Sequence, residues 1–494
     1  MADQSAYRNT FKSTFIFGFV QIFNIAVRVG LNKAVALLLG PSGMGMISLY
    51  NSSINLLSVG AGLGINQSGV RDIAEARGAD DKNHIDLTIT FVKRIIRYTS
   101  ILGIILMAAL SPLLSQWTFG SKQYTMAYLF LSLTVGATIQ TNGYRAINTG
   151  MRELKNVAYS TMWGALAGLL AGLPLYFFFG DKGVVPSLVI SSLATLLIAR
   201  YYAGKVKYNH VKMTFRETLS KSSNMVKMGI TLMLMSFMLS AVQLIISSYV
   251  SGHGGLDMVG LYQAGATIIT SYFGIVITAM STEYYPRIAS FSQDNRKLYE
   301  AVNAQSEIGL LIALPMMVMF VFLAPYFLQF IYSEFFLLTT SYLDFAILGV
   351  ITTICSNSMG MVLLAKQASK LFLISSALGN VVVLSFTLLL YNILGLSGLG
   401  IAYALNGIMQ FMMYDRIMWH YYQIRFSKQL IYTLAGTLMC CGAATYFRSI
   451  DIIWLKWLSG VLLFFLTGIY SLKTLNQRLE INLIESALKR LKLK

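Results

Sequence analysis

Residues 15–39 read FIFGFVQIFNIAVRVGLNKAVALLL, an apolar stretch that carries two charges, Arg28 near its centre and Lys33 just beyond it. A helix needs about 20 such residues to cross the ~30 Å hydrocarbon core of a bilayer. A cation at that depth costs from about 3 to more than 10 kcal/mol, so it usually faces water or a counter-charge. No Asp or Glu lies between Phe11 and Leu39. The stretch therefore predicts a membrane helix whose Arg28 faces a water-filled cavity able to receive an anion.

The rest of the chain has a similar apolar composition. Hydrophobic residues make up 56% of the 494 residues and charged residues 12%, and the mean hydropathy is +0.63. These values lie outside the range of a soluble domain of this size. We predict an all-α polytopic membrane protein with about fourteen transmembrane helices, each of about 20 residues.

The basic residues are distributed unequally between the predicted loops. The formal net charge is +18, which by itself would also suit a protein that binds nucleic acid. Most Lys and Arg residues, however, fall at the N-terminus, in alternate loops and in the C-terminal tail. The opposite-side loops hold only Lys122, Lys182, Arg448 and Lys456. By the positive-inside rule this asymmetry predicts cytoplasmic termini and no nucleic-acid partner.

An internal duplication relates two parts of the chain. The segment VGLYQ at 259–263 resembles ISLYN at 47–51, an offset of 212 residues, and LAPYFLQF at 323–330 resembles LSPLLSQW at 110–117, an offset of 213. Asn357 follows Asn142 by 215 residues. Each copy contains six predicted spans, an even number, so both copies enter the membrane in the same direction, related by an axis along the membrane normal.

The duplication divides the chain into five predicted parts. These are an N-terminal six-helix lobe at 1–204, a basic cytoplasmic linker at 205–227, a C-terminal six-helix lobe at 228–421, two additional transmembrane helices at 422–472 and a basic amphipathic cytoplasmic tail at 473–494. The tail spaces leucines among lysines and arginines, a pattern that suits a helix lying on an anionic membrane surface or one binding a partner.

Polar side chains recur at helical spacing inside several predicted spans. In hydrocarbon such groups would be unsatisfied, so they should face water or other helices. The alternative to a binding surface is interhelical hydrogen bonding. We predict a substrate-binding set on the first, second, seventh and eighth spans: Arg28, Gln21, Asn24, Asn32, Lys33, Tyr50, Asn51, Asn55, Ser240, Gln243, Tyr262 and Gln263. Arg145 and Lys366 end the fourth and tenth spans and are candidates for a basic cavity entrance or for topology anchors.

Catalytic and metal-binding motifs are missing from the sequence. No GxxxxGK[ST] phosphate-binding loop occurs, and the four histidines are scattered without the spacing of a metal site. We therefore predict a protein that is not an enzyme and that uses neither a metal nor a cofactor. A membrane glycosyl polymerase or ligase is the nearest enzyme alternative, but it would be expected to carry a large outer loop.

Several short motifs resemble a known family of exporters. They are Leu39-Gly40-Pro41, Leu49-Tyr50, Gly62 to Gly64 and the segment VRDIAE at 70–75. Together with the duplication, they resemble the opening signature of polysaccharide flippases in the multidrug/oligosaccharidyl-lipid/polysaccharide exporter superfamily, and are most similar to O-antigen translocases. The resemblance implies a V-shaped pair of helical bundles with alternating access, which moves undecaprenyl-pyrophosphate-linked repeat units from the inner to the outer leaflet of the bacterial inner membrane.

The same resemblance implies roles for the polar residues. A guanidinium can bind a pyrophosphate through paired, charge-assisted hydrogen bonds, which suits Arg28, and the sugars would meet the Asn, Gln, Ser and Tyr side chains. The implied partners are the lipid-linked oligosaccharide, membrane lipids, and polysaccharide polymerase and chain-length machinery. An ion-coupled drug or cation exporter of the same superfamily is the alternative, and it would place carboxylates deep in the bundle. Asp344, Glu307 and Asp415 instead lie near the predicted membrane faces.

Overall fold

The computed structural model describes residues 20, 23–79, 81–211 and 223–479. Within these ranges the chain is almost entirely helical and contains no strand. The predicted all-α class is therefore confirmed. Gln21, part of the predicted linker and most of the predicted tail lie outside the described residues.

The first of two compact units comprises Met1–Gly260 and Ile331–Ser333. Its helices follow one another through short connections, as expected for antiparallel neighbours in a helical bundle. They are α1 (23–38), α2 (Gly40–Gly62), α3 (Ile65–Gly78), α4 (Lys82–Phe119), α5 (Thr125–Gly150), α6 (Leu154–Phe179), α7 (Val184–Gly204) and most of α8 (Ser223–Thr267).

The second unit comprises Leu261–Phe330 and Glu334–Lys494. It contains a short π-helix at Ile268–Phe273, which continues α8, and the following helices: α9 (Gly274–Ser290), α10 (Asn295–Ile331), α11 (Thr340–Ala365), α12 (Ser369–Tyr422), α13 (Lys428–Arg448) and α14 (Ile453–Leu479). A glycine with non-helical backbone angles interrupts α8 at Gly255 and α12 at Gly395. Each of these long helices therefore consists of two spans, as predicted.

Eight helical segments in the described ranges are long and apolar enough to cross a membrane. Three of them hold two predicted spans each: Leu154–Gly204, Met225–Ser271 and Ser369–Tyr422. The remaining predicted spans coincide with α1, α2 and α5, whose polar residues lower their hydropathy. The chain is thus a multi-pass membrane protein.

The duplication is present in the backbone as well as in the sequence. Left-handed backbone angles occur at Gly40 and Gly255, at Arg152 and Gln367, and at Gly180 and Gly395, each pair 215 residues apart. The N-caps of α4 and α10 also correspond, because Asp81 and Asp294 each accept two backbone N–H groups at 3.0 and 3.1 Å. A carboxylate at this position satisfies amides that the first helical turn leaves unpaired.

The structural register near α2 differs from the offset of 212 that the two LY segments suggest. A methyl group on Gly45 would overlap the Leu256 carbonyl, and one on Gly260 would overlap the Pro41 carbonyl. This reciprocal contact inside the first unit sets the offset at 215. The residue equivalent to Arg28 is therefore Gln243 and not Ser240, and it is uncharged in either register.

The two additional helices α13 and α14 are joined to the second unit by ion pairs. Arg448 at the end of α13 donates to the Asp344 carboxylate of α11 and, at 2.9 Å, to the Val321 carbonyl of α10. Arg478 of α14 donates to Glu307 of α10 at 3.3 Å. These contacts fix both helices against the helices of the second copy of the duplication.

The part of the predicted linker that the structure describes packs against the start of α4. Lys93 donates to the Tyr208 hydroxyl at 3.0 Å, and Asp86 accepts the Asn209 backbone N–H at 3.0 Å. The predicted five-part division, including the two six-helix lobes, stays a prediction.

Candidate substrate site

Arg28 is exposed on α1, at the position where the sequence predicts access to water. Asn32 and Lys33 on the same helix are half-buried, whereas Asn24 is only 8% exposed. The Asn24 side-chain oxygen is buried without a hydrogen-bond partner in the described structure. The polar stripe of α1 therefore has one exposed, charged position with uncharged groups on either side of it along the helix.

Arg145 of α5 lies within electrostatic range of Arg28. Its guanidinium packs against α6, where Nη2 would be 3.7 Å from a methyl group on Gly164, and its Nε is buried without a partner among the described residues. Neither arginine forms an ion pair with a carboxylate in the ranges that the structure describes. Two cations held together in this way repel one another, and an anion between them would relieve the repulsion. The sequence predicted separate roles for these residues, and the fold brings them together.

A cavity of about 560 Å³, open on one side, lies among α2, α3, α4, α5 and α8 in the first unit. Its polar groups are amides and hydroxyls, and none of the described residues that line it is ionisable. Asn55 is the one member of the predicted substrate-binding set on its wall. Sequence reasoning missed Ser58, Asn66, Gln67 and Asn142, which also line it.

Asn55 and Ser240, both in the predicted set, are in contact. The Asn55 amide of α2 donates to the Ser240 hydroxyl of α8 at 3.1 Å, and that hydroxyl donates to the Ser236 carbonyl at 2.9 Å. Ser240 is 6% exposed, while Asn51 and Asn55 are exposed and Gln243 is half-buried. The pair has the geometry of an interhelical hydrogen bond, the alternative that the sequence left open for such residues, and Asn55 also lines the cavity.

Tyr50 lies in an aromatic cluster of the core. It is 1% exposed, and its ring centroid lies 5.2 Å from that of Phe119 and 5.4 Å from that of Tyr128. The Tyr128 hydroxyl lies within hydrogen-bonding distance of Ser53 and Thr118. Contact between Tyr50 and a substrate would therefore require this cluster to open.

The remaining predicted residues belong to the second unit. Tyr262 is 8% exposed and packs edge-on against Tyr342, and Gln263 donates to Thr267 at 3.4 Å. Lys366, just after α11, donates to the Ser292 carbonyl at 2.9 Å and lies 4.7 Å from the centre of the Tyr422 ring. Partial burial lowers the pKa of the Lys366 ammonium. These contacts connect Lys366 to neighbouring segments, as a structural anchor would.

The carboxylates that an ion-coupled exporter would need have structural partners in the second unit. Asp344 is paired with Arg448 and Glu307 with Arg478. Asp415 accepts the Phe426 backbone N–H at 3.1 Å. Each of these groups thus has a role in holding helices or loops together.

Comparison with known proteins gives flippases. A lipid III flippase of Escherichia coli strain K12 is 22% identical over 281 residues, which cover 56% of this chain and 66% of that protein. The lipid III flippase of Shigella flexneri gives the same values. The match spans slightly less than two thirds of the length of these relatives.

Solved structures with the same fold are also membrane transporters. The lipid II flippase MurJ in its inward closed conformation has a TM-score of 0.73 at 13% identity, over 94% of this chain and 99% of that one. An inward-facing multidrug resistance MATE family transporter of the MOP superfamily has a TM-score of 0.63 at 16% identity, over 86% and 96%. At these identities the similarity establishes the fold alone. The matched proteins are transporters and not enzymes, in agreement with the prediction.

Residues 34–340 match the family described as polysaccharide biosynthesis protein. This range is more than half of the chain and includes the motifs from Leu39 to Glu75 on which the sequence-based assignment rests. The chain therefore belongs to the polysaccharide biosynthesis protein family, in the polysaccharide flippase branch of the multidrug/oligosaccharidyl-lipid/polysaccharide exporter superfamily.

Proposed function

We propose that the protein is a flippase for polyprenyl-pyrophosphate-linked oligosaccharides that works by alternating access. The observation that carries this proposal is the proximity of Arg28 and Arg145, two guanidiniums without a carboxylate partner in the described structure. A pyrophosphate offers oxygens to both, and arginine binds such groups through paired hydrogen bonds. The cargo would be a repeat unit of O-antigen or a related surface polysaccharide on undecaprenyl pyrophosphate, delivered to polysaccharide polymerase and chain-length machinery.

The alternative function, export of a drug or cation, fits the residues less well. The MATE neighbours have this fold, so the fold does not distinguish the two functions. A cationic substrate would require an unpaired carboxylate in the bundle. Asp344 and Glu307 are instead paired with arginines, and two adjacent guanidiniums would repel a cation.

Transport in reconstituted vesicles separates these two functions. We expect the purified protein to move a polyprenyl-pyrophosphate-linked oligosaccharide between leaflets and to leave the cationic dye ethidium on its own side. The exposed saccharide would be measured with a membrane-impermeant glycosidase or lectin, and empty vesicles provide the control. Ethidium movement without saccharide movement would replace the flippase with the exporter.

The proposed location is the bacterial inner membrane, with both termini in the cytoplasm. The positive-inside distribution supports this orientation. A reporter fused after Lys494 should be cytoplasmic, and one inserted at Gly180, in the short turn between α6 and α7, should lie on the opposite side. Reporter activity on the same side of the membrane at both positions would contradict the arrangement of spans.

A further inference from the structure

Both copies of the duplication contain a cavity at the same place in the fold. Helix α5 supplies Ile139, Asn142 and Gly143 to the cavity of the first unit. Helix α11 supplies the equivalent residues, 215 positions later, to a cavity in the second unit: Ile354, Asn357 and Ser358. Because the two sites share one ancestral position, the differences between them indicate what each copy does.

In the second unit the polar groups bind one another. The Asn357 amide donates to the Ser281 hydroxyl at 2.7 Å. Tyr284, which is 1% exposed, donates to the Ser358 carbonyl at 3.2 Å, and Gln305 accepts from Arg287 at 3.1 Å. The remaining empty space is about 220 Å³. This cavity is a packed, self-satisfied part of the protein.

In the first unit the equivalent groups are unpaired. Ser58, only 7% exposed, has no hydrogen-bond partner for its hydroxyl among the described residues. The Asn142 amide is half-buried and, within the same part of the chain, makes no hydrogen bond, and the same holds for the side chains of Asn66 and Gln67. Buried polar groups in proteins are normally hydrogen-bonded, so several unpaired ones around one open space indicate a place where a ligand supplies the partners.

The chemistry of this lining selects the ligand. Amides and hydroxyls both donate and accept, as the hydroxyl and acetamido groups of a sugar do. The described lining has no charged side chain to offset a pyrophosphate. A space of about 560 Å³ lies within the range of small-molecule sites. Ile65, Ile96 and Ile139 supply apolar surface for the faces of sugar rings.

We propose that this cavity of the first unit binds the uncharged saccharide of the cargo, and that its counterpart in the second unit does not. The inference rests on the proposed flippase function. It assigns recognition of the sugar to Asn142 and Ser58, apart from recognition of the pyrophosphate by the arginines.

Binding by the full-length protein in nanodiscs tests the assignment. Two probes are compared: the polyprenyl-pyrophosphate-linked saccharide extracted from the cells that make this protein, and bare undecaprenyl pyrophosphate. Asn142→Leu keeps the approximate shape of the side chain and removes its hydrogen bonds. We expect it to weaken binding of the saccharide-bearing probe about tenfold and to leave the bare carrier unchanged. The matched variant Asn357→Leu should bind both probes like the wild type.

Ser58→Ala serves as a second variant should Asn142→Leu not fold, which a thermal unfolding measurement detects. We expect a weakening of about threefold, again only for the saccharide-bearing probe. Wild-type affinity in both variants, or equal weakening of both probes, would overturn the saccharide site, as would a wild type that binds the two probes equally. A wild type that binds neither probe would instead contradict the proposed flippase function.

Discussion

Replacing Arg28 by alanine is expected to reduce delivery of lipid-linked saccharide to the outer leaflet about 100-fold. Two charge-assisted hydrogen bonds to a pyrophosphate, at about 1.5 kcal/mol each, correspond to roughly this factor. The remaining cation, Arg145, would then have to offset the anion alone. Delivery can be measured in cells by labelling the saccharide at the outer surface, with the amount of inserted protein determined in parallel.

Two further variants distinguish a binding role for Arg28 from a general need for positive charge. Arg28→Lys should retain part of the activity because lysine keeps the charge and loses the planar, bidentate geometry. Lys122→Ala removes a charge from an exposed loop position and should leave delivery unchanged. Combining Arg28→Ala with Arg145→Ala should cost less than the sum of the single effects, since both act on one anion. Normal delivery by a fully inserted Arg28→Ala protein would show that the anion site is wrong.

Replacing Arg448 by alanine is expected to destabilise the protein by about 3–5 kcal/mol, because it leaves the Asp344 carboxylate without its partner in a largely buried position. The two side chains are only 14% and 23% exposed, and Arg448 also satisfies the Val321 carbonyl at 2.9 Å. The measurement is thermal or denaturant unfolding of the purified protein in detergent.

An exposed ion pair in the same unit provides the matched control. Arg296 and Glu300 are separated by 3.5 Å, with side chains that are 90% and 62% exposed. Arg296→Ala should therefore change the free energy of unfolding by no more than about 1 kcal/mol. Arg448→Met combined with Asp344→Leu should recover most of the lost stability, since neither side chain then carries an unpaired charge. If Arg448→Ala is no more destabilising than Arg296→Ala, the pair does not hold α13 in place.

The order of helices could be predicted from the sequence because hydropathy and helical length are local properties. A bilayer of fixed thickness requires about 20 apolar residues per span, and turns between the spans are marked by glycines such as Gly180 and Gly395. The duplication was visible for the same reason, since each copy repeats its motifs in order. Its register was predicted correctly at Asn142 and Asn357 and was three residues short at Tyr50 and Tyr262, where nearly one helical turn separates the matched residues from the structural ones.

The candidate site was only partly accessible to sequence reasoning. Arg28 was identified because a lone cation in an apolar helix is costly wherever the chain folds. Asn142 could have been found from its repeat at Asn357, but a half-buried amide and a packed one look alike in sequence. Tyr50 was assigned to the binding set on its polarity, and the structure places it in the core with Tyr128.

The sequence by itself determined the all-α membrane class, the succession of spans, the duplication and the unusual position of Arg28, because each depends on residues close together in the chain or on a repeat along it. Only the tertiary structure decided which polar groups meet. Arg145 approaches Arg28, Arg448 reaches Asp344 across 104 residues, and Arg478 reaches Glu307 across 171. Helical periodicity gives the face on which a side chain lies, but the partner of that face depends on how helices far apart in sequence pack, and therefore on the whole chain.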